Sequence, residues 1–532
     1  MLVRVSLCCL LLLARSAGSS AQSEPQTPGL TPVRQTIQAA IDQGTIPGAV
    51  AYVSQRDRVL TFEAMGEAAP DRAMTTDTLF AIASMSKPIT SVAVMILVEE
   101  GRARLDDPLA NYLPEFADVR VIDPNSGTLS RPRRAVTLRD LLTHSSGIAY
   151  GLNAPAPLRD AFQNAGLADG LGPEDRTLKE NTALVAKIPL AHQPGEAWTY
   201  GMNTDVLGRV VEVASGKHFD QFLDERIFKP LKMTDTGFRV PPEKASRLAA
   251  LYTPGDDGRV GKLDADPKTI GGVTVSPKRV LGDVAYLSGG AGLVSTTHDY
   301  ARFLHMLLNE GVLDGVRLLK AETVHAMTRN QIGPLHCAYT IHGDKFGLGF
   351  GVVSQPGGVA TVGSYSWGGI YHTFFWVDPA RELVGVVMTQ IHPWGESSLW
   401  ADFQKAVYAS IGARPAPAPD ADAPRAAPEA LDRGGRFLRR FPFEKGLEHG
   451  NPVTNGRFRV NDPLAASHPD HGKRSETRGN GLMQILMDEP IAEIQGAELA
   501  LELWGGHPGT ANKRVAVNGR GTYAIPEVGA AA

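Results

Sequence analysis

The sequence predicts a mixed α/β (α+β) fold with more than one domain. Its patterns follow one another as a helix, two strands, a long helical middle, two further strands and a closing helix. At 532 residues the chain is too long for one ordinary hydrophobic core, so a second domain or a large insertion is expected. Hydrophobic residues make up 43% of the chain and charged residues 21%, which is ordinary for a folded globular protein.

The first elements follow from short-range patterns. Thr31 and Pro32 form a typical helix start, and apolar residues then recur every four positions until Gly44, where the helix is expected to end. Two runs with strand propensity follow at 49–53 and 59–64. The polar residues between these runs predict a hairpin turn.

The middle of the chain is predicted to be mostly helical. The apolar stretch from Ser84 to Gly101 predicts a buried helix with Pro88 in its first turn, where a missing N–H costs least. Residues 148–182 are rich in Gly, Pro, Asn and Asp and predict a surface loop region, either a wall or lid over the site or a plain insertion. Helices are predicted at 204–215, 218–228 and 298–310. A hairpin of strands at 372–377 and 383–389 follows, and a closing helix is predicted at 398–411.

Both ends of the chain carry patterns of another kind. Residues 1–21 predict a cleavable export signal, with Arg4 before a ten-residue apolar core and small residues at the cleavage site. That core is shorter than the roughly 20 residues that cross a bilayer, so no membrane span is expected and the protein is predicted to be secreted or periplasmic.

Residues 413–432 predict a Pro/Ala linker. Residues 433–532 predict a small β-rich accessory domain of unknown ligand, with strands at 500–504 and 514–517.

Charge, cysteine and histidine content exclude several classes of function. A net charge of −4 gives no electrostatic reason to expect nucleic acid or an anionic membrane as partner. Cys337 is the only cysteine after the export signal, so no internal disulfide is expected and this thiol is predicted to be a buried apolar residue. His468 and His471 lie in a polar loop and are expected to be solvated. No metal and no cofactor is predicted.

Ser84 and Lys87 carry the strongest functional pattern. They are three residues apart at the start of the predicted buried helix, so their side chains lie on one helical face. A serine hydroxyl is a poor nucleophile until a neighbouring base accepts its proton, and a desolvated lysine amine can do so. The pair therefore predicts nucleophilic catalysis by Ser84.

Five further motifs follow in order and reveal a resemblance. They are Leu141–Gly147 (LLTHSSG), Gln193–Tyr200 (QPGEAWTY), Ser288–Thr297 (SGGAGLVSTT), Phe346–Gly351 (FGLGFG) and Trp367–Gly369 (WGG). With Ser84-x-x-Lys87, this set resembles the serine β-lactamase and penicillin-binding-protein superfamily. Within its class C-like branch the chain is most similar to the family VIII carboxylesterases, over roughly residues 30–412. A catalytic domain is therefore predicted at 24–412.

The resemblance implies both a fold and a set of roles. The fold is an antiparallel sheet flanked by helices and joined to an all-helical subdomain, with the active site between them. Tyr200 matches the tyrosine of the second motif, whose phenolate, stabilised by Lys87, serves as general base and later protonates the leaving group. The backbone N–H groups of Ser84 and Ile370 form the oxyanion hole. Gly368 and Gly369 let an edge strand approach the substrate closely.

Two departures from the lactamase pattern bear on the substrate. Met202 stands where an asparagine often binds a substrate amide, and Asn203 comes one place late. Trp367 stands where lactamases usually carry a lysine that binds a substrate carboxylate. The tryptophan leaves an apolar wall suited to neutral acyl or alcohol groups.

The remaining candidates and alternatives complete the prediction. His144 is expected to shape the pocket, and His372 to line it beside Trp367. The leading hypothesis is a serine hydrolase that cleaves short-chain carboxylic esters. The alternatives are a class C-like β-lactamase or D-amino-acid peptidase and, in a different class, a non-catalytic penicillin-recognising wall-binding protein. An α/β-hydrolase is disfavoured because no Gly-x-Ser-x-Gly elbow is present.

Overall fold

The structure is a computed structural model that divides the chain into two units, Met1–Ala416 and Pro417–Ala532. The predicted export signal at 1–21 and the linker at 413–432 lie outside the described residues. No helix within the described ranges is long and apolar enough to cross a membrane. The described residues are 30–173, 175–255, 258–339, 343–394, 397–412 and four short strands after residue 456.

The first unit is organised around one antiparallel sheet of eight strands. Its N-terminal hairpin pairs directly with its C-terminal hairpin, so that Val50 lies opposite Met388. Between Arg72–Ala73 and Lys345–Phe346, no described residue contributes a strand to this sheet. In spatial order the strands are Lys345–Phe346, Gly351–Val352, Tyr365–Gly369, Thr373–Asp378, Leu383–Met388, Gly48–Gln55, Arg58–Ala69 and Arg72–Ala73.

Among the described residues of this unit, ten α-helices surround the sheet or build the helical part beside it. In chain order they are α1 (Thr31–Asp42), α2 (Ser86–Glu99), α3 (Leu138–Leu142), α4 (Ala156–Ala165), α5 (Leu178–Val185), α6 (Asn203–Ser215), α7 (Phe219–Leu223), α8 (Thr297–Leu308), α9 (Ala321–Met327) and α10 (Leu399–Ile411). The helical part consists of α3 to α7 together with α9 and short two-stranded pairs.

Two hydrophobic cores place the helices on opposite faces of the sheet. Helices α1 and α10 share a core with the sheet that includes Val33, Phe403 and Trp376. Helices α2 and α8 belong to the larger core, which continues into the helical part through α6. Every residue of α2 from Ser86 to Leu97 is buried, because this helix packs against α6 and α7 and belongs to the main hydrophobic core. A helix apolar all round is stable in that setting.

Most predicted elements are confirmed, and two details are corrected. The helix α1 begins at Thr31, but its N-cap is Leu30 and no side chain caps it. The region 148–182 is more than a loop, since it contains α4 and the start of α5. In α4, Leu158 and Phe162 are four residues apart and both buried, a helical spacing that the surrounding glycines and prolines obscure.

In the second unit, the described residues form two antiparallel strand pairs. Arg457–Val460 pairs with Met483–Leu486, and Arg514–Val517 pairs with Arg520–Ala524. The strand predicted at 514–517 is therefore confirmed, whereas the strand predicted at 500–504 lies outside the described residues. A β-rich accessory domain over 433–532 stays a prediction.

Candidate active site

Ser84 lies in a tight turn that leads into α2. The preceding strand Phe80–Ala81 pairs with Val294–Ser295, which holds the turn in place. Ala83 has a left-handed backbone, with φ of 43°, a conformation that is costly for residues with a side chain and persists where the surroundings impose it. Within the 3₁₀ turn Ala83–Met85 only Ser84 is partly exposed. The turn thus presents the serine from an otherwise buried segment.

Lys87 lies one helical turn later, with its side chain 1% exposed. Its Nζ is 3.0 Å from the Ser84 Oγ and donates to the Gly290 carbonyl at 2.7 Å. Burial lowers the pKa of Lys87 to about 7, against the opposing attraction of the Asp205 and Asp169 carboxylates. A large share of Lys87 is therefore a neutral amine at neutral pH, with one lone pair available to the Ser84 hydroxyl.

Tyr200 completes the group from the helical part, three residues before α6 begins. Its hydroxyl hydrogen-bonds Ser84 and accepts a bond from the Trp367 Nε1 at 3.3 Å. The Lys87 Nζ lies 4.7 Å from the centre of the Tyr200 ring. Burial raises the pKa of the Tyr200 hydroxyl well above its ordinary value. The predicted phenolate is therefore disfavoured, and Lys87 is the better proton acceptor of the two.

The strand Tyr365–Gly369 lies against the turn that carries Ser84. A Cβ added at Gly369 would lie 2.4 Å from the Ile82 carbonyl oxygen, and one added at Gly368 would lie 2.5 Å from the Trp400 ring. Both glycines are required because backbone and ring atoms occupy the space of a side chain. Ile370 follows directly at the end of this strand, beside the serine turn.

Aromatic side chains enclose the tyrosine. Five rings have centroids 4.9–6.0 Å from that of Tyr200, those of His144, Tyr150, Trp198, Tyr339 and Trp367. Tyr339 is 39% exposed and its hydroxyl accepts from the Asn153 Nδ2 at 3.5 Å. The site is thus bounded by apolar ring faces, with a tyrosine at its accessible edge.

His144 shapes the site from behind, as predicted. Its Nδ1 accepts from the Asn203 Nδ2 at 2.9 Å, and its ring contacts Tyr200 and Phe346. Burial holds the pKa of His144 well below its ordinary value. The imidazole is therefore neutral and serves to position Tyr200.

Met202 and Asn203 are both turned inward. Met202 is 2% exposed and belongs to the main hydrophobic core. The Asn203 Nδ2 donates to His144 and to the Ile148 carbonyl, while its Oδ1 accepts from Ser146. The amide of Asn203 is therefore occupied within the protein, and Met202 offers no polar group to a substrate.

His372 does not line the site, which corrects the prediction. It closes the tight turn after Gly369, donating its N–H to the Gly369 carbonyl at 2.9 Å. With φ of 67°, its ring packs on the α10 side of the sheet, stacked on Trp394 at 5.0 Å and against Trp400. Burial lowers its pKa to about 3. Nearness to Trp367 in sequence does not place it on the same face.

Three residues near the reacting groups carry no pattern that identified them beforehand. Asp205 is buried in the first turn of α6 and exerts the largest opposing charge on Lys87. The Tyr150 ring lies 5.4 Å from the Lys87 Nζ, and Tyr339 borders Tyr200. Asp205 offered one hint, since an acidic residue five positions after Tyr200 must lie near it when a helix begins at once.

Comparison with known proteins places the chain in a family. Residues 33–409 match the family model described as Beta-lactamase. The chain belongs to the Beta-lactamase family. It is 34% identical to the esterase EstB of Burkholderia gladioli over 384 residues, which cover 70% of this chain and 93% of EstB. It is 32% identical to the lovastatin esterase of Penicillium rubens over 404 residues, covering 70% and 95% of the two chains.

A solved structure gives the same result for the fold. EstCE1, described as a hydrolase with promiscuous acyltransferase activity, superposes with a TM-score of 0.63 at 27% identity and covers 71% of this chain and 98% of its own. The predicted resemblance and the predicted fold class of the catalytic domain are thereby confirmed. The protein is a serine hydrolase of the β-lactamase superfamily.

The close approach of the strand Tyr365–Gly369 to the turn that carries Ser84 can be tested by a substitution at Gly369. Gly369→Ala forces the strand away from the turn that carries Ser84, because the new Cβ would lie 2.4 Å from the Ile82 carbonyl. A displacement of this kind costs on the order of 100-fold in kcat. We expect that loss on p-nitrophenyl butyrate, with little change in circular dichroism. Gly282→Ala is the control, since nothing lies within 4 Å of its Cβ. Equal rates for both variants would contradict the assigned geometry.

Proposed function

We propose that this protein is a carboxylesterase that hydrolyses short-chain carboxylic esters through an acyl-enzyme on Ser84. The observation that carries the proposal is the buried Lys87 amine, held 3.0 Å from the Ser84 Oγ. A serine hydroxyl with a desolvated amine at that distance is an activated nucleophile. The esterase names of two relatives support the choice of reaction.

The reaction begins with transfer of the Ser84 hydroxyl proton to the neutral Lys87 amine as the Ser84 Oγ attacks the ester carbonyl. Gly290 accepts one Lys87 N–H, which leaves the lone pair free to face Ser84. Collapse of the tetrahedral intermediate breaks the bond to the alcohol oxygen, and that oxygen receives a proton from Lys87 through the Tyr200 hydroxyl. Water then attacks the acyl-enzyme and gives its proton to the same pair. That proton returns to the Ser84 Oγ as its bond to the acyl carbon breaks, which releases the acid and free Ser84.

The developing oxyanion is assigned to the backbone N–H groups of Ser84 and Ile370. The first lies in the turn before α2, and the second follows the strand that Gly369 holds against that turn. Two fixed N–H donors aimed at the same oxygen stabilise the intermediate by several kcal/mol, on the order of 3 for one donor. The reacting groups therefore come from both parts of the first unit.

Esters fit this site better than β-lactams. The Trp367 indole is 2% exposed and bonds Tyr200, where a lysine would offer a charge to a substrate carboxylate. The Asn203 amide is held by His144 and Ile148. Each missing contact with a charged or amide group is worth about 1–3 kcal/mol. Two of them disfavour β-lactams by about 2–6 kcal/mol, which is roughly 30-fold to 20,000-fold in specificity.

Two other functions fit the residues of this site less well. A class C-like β-lactamase or D-amino-acid peptidase needs the recognition groups that Trp367 and Met202 replace. A non-catalytic penicillin-recognising protein has no use for a buried lysine beside a serine, because burying an amine without a role is costly. We assign the chemistry to residues 24–412, since every group named above precedes Gly412.

The nucleophile can be identified by covalent labelling. A p-nitrophenyl alkylphosphonate is expected to modify one peptide, the one that contains Ser84, in step with the loss of esterase activity. Ser84→Ala should abolish both labelling and turnover. Ser410→Ala, on the distant helix α10, should retain both. Labelling of another serine, with Ser84→Ala still active, would refute the proposed nucleophile.

Substrate preference provides a second test. The ratio of kcat/KM for p-nitrophenyl butyrate to that for nitrocefin is expected to exceed one hundred, because the site lacks the carboxylate and amide contacts of a lactamase. Trp367→Lys restores a cation and should move this ratio towards the cephalosporin. A wild-type protein that prefers nitrocefin would contradict the esterase assignment.

A further inference from the structure

The buried carboxylate of Asp205 is bound to the loop that carries Gly290. It is 2% exposed and lies in the first turn of α6. Its Oδ1 accepts from the Tyr286 hydroxyl at 2.9 Å, the Ser288 hydroxyl at 2.5 Å and the Gly290 N–H at 3.4 Å. The three donors converge on one oxygen and fix the segment 286–290 relative to α6.

Gly290 connects Asp205 to Lys87. Its N–H faces the carboxylate, and its carbonyl accepts from the Lys87 Nζ at 2.7 Å. A Cβ at Gly290 would lie 2.4 Å from the Asp205 Oδ2 and 3.1 Å from the Tyr150 hydroxyl. The loop therefore approaches the carboxylate as closely as a residue without a side chain permits. A shift of Asp205 moves the carbonyl that orients the lysine.

The second oxygen of the Asp205 carboxylate, Oδ2, is buried without a hydrogen-bond partner among the described residues. Burying an oxygen without a hydrogen-bond partner costs free energy. The amide oxygen of an asparagine at this position would accept the same three hydrogen bonds and fix the loop equally well. The negative charge itself therefore requires an explanation, and the cation it faces is Lys87.

The titratable groups that face Lys87 are few. They are the carboxylates of Asp205 and Asp169, the hydroxyls of Tyr150 and Tyr200, and the imidazole of His144. Burial raises the pKa of both tyrosines and lowers that of His144, so these three groups are uncharged at neutral pH. The two carboxylates remain as the charges that favour the ammonium form of Lys87, with Asp205 exerting the larger effect.

We propose that Asp205 is a positioning residue for the proposed esterase reaction, which holds the Lys87 amine on Ser84 through Gly290 and supplies the negative charge that has the larger effect on that amine. The inference rests on the proposed function. Without Asp205, the effect of burial on Lys87 is opposed by the smaller effect of Asp169, and the amine is neutral at lower pH. With it, the lysine can both take and return a proton near pH 7.

The test is the pH profile of kcat/KM on p-nitrophenyl butyrate. The wild-type rate rises with pH as Lys87 loses its proton, with an acid limb near its pKa of about 7. Asp205→Asn preserves the shape and the acceptor oxygen but removes the charge, so the limb moves to lower pH. A neighbouring opposite charge shifts a pKa by roughly one unit or more. The rate at pH 6, relative to the variant's own plateau, is therefore expected to rise roughly fivefold.

Two controls separate charge from structure. Thr90→Val removes the hydroxyl that donates to the Gly289 carbonyl at 2.8 Å and loosens the same loop without a change of charge, so the plateau falls and the limb stays. Asp169→Asn removes the other facing carboxylate and is expected to move the limb less than half as far as Asp205→Asn.

Each outcome bears on one claim. If the acid limb of the Asp205→Asn pH profile coincides with that of the wild type, or moves to higher pH, the proposed role of Asp205 is wrong. If Asp205→Asn does not fold, an Asp169→Asn limb displaced by a full unit overturns it, because the charge of Asp205 would then not dominate. Phosphonate labelling of wild-type Ser84 is measured in parallel, and its absence means that the proposed function has failed.

Discussion

The site depends on one constraint, a lysine amine kept out of water and within reach of a serine hydroxyl. Burial lowers the pKa of Lys87 to about 7, and a lysine left in solvent would remain charged and could not accept a proton. The fold meets this constraint by making α2 buried on every side. The helix packs against α6 and α7 and shares the main hydrophobic core with side chains of the sheet, so the burial of the base depends on both parts of the first unit.

The same arrangement explains why small residues gather around Ser84. Gly369 allows the strand to touch the turn, Gly290 allows the loop to touch Asp205, and Gly289 lies where a Cβ would be 2.5 Å from the Thr204 carbonyl. Two backbone segments, the strand that ends at Gly369 and the loop that carries Gly289 and Gly290, thus converge beside the first turn of α2 at distances that exclude side chains. This convergence fixes the lysine, and the aromatic rings around Tyr200 then supply the apolar wall.

Much of this could be predicted from the sequence because local patterns carry it. Ser84 and Lys87 are one helical turn apart, and the strands and helices of the first unit follow from their periodicity. His372 was misplaced because a left-handed turn residue reverses the face that sequence neighbours suggest. Asp205 was missed because its partners, Tyr286 to Gly290, are about 80 residues away, and only the folded chain brings them together. The raised pKa of Tyr200 could not be predicted for a similar reason, since the burial of its hydroxyl depends on rings from four separate segments.

The protonation state of Lys87, on which the proposed chemistry depends, can be measured directly. Protein labelled with ¹³C at the lysine Cε is titrated by NMR, and the Lys87 signal is assigned by its absence from Lys87→Met. This signal is expected to titrate with a midpoint within about one unit of 7, while exposed lysines titrate above 10. A Lys87 signal that stays in its charged position up to pH 10 would contradict the account, because the amine could then not serve as the base for Ser84.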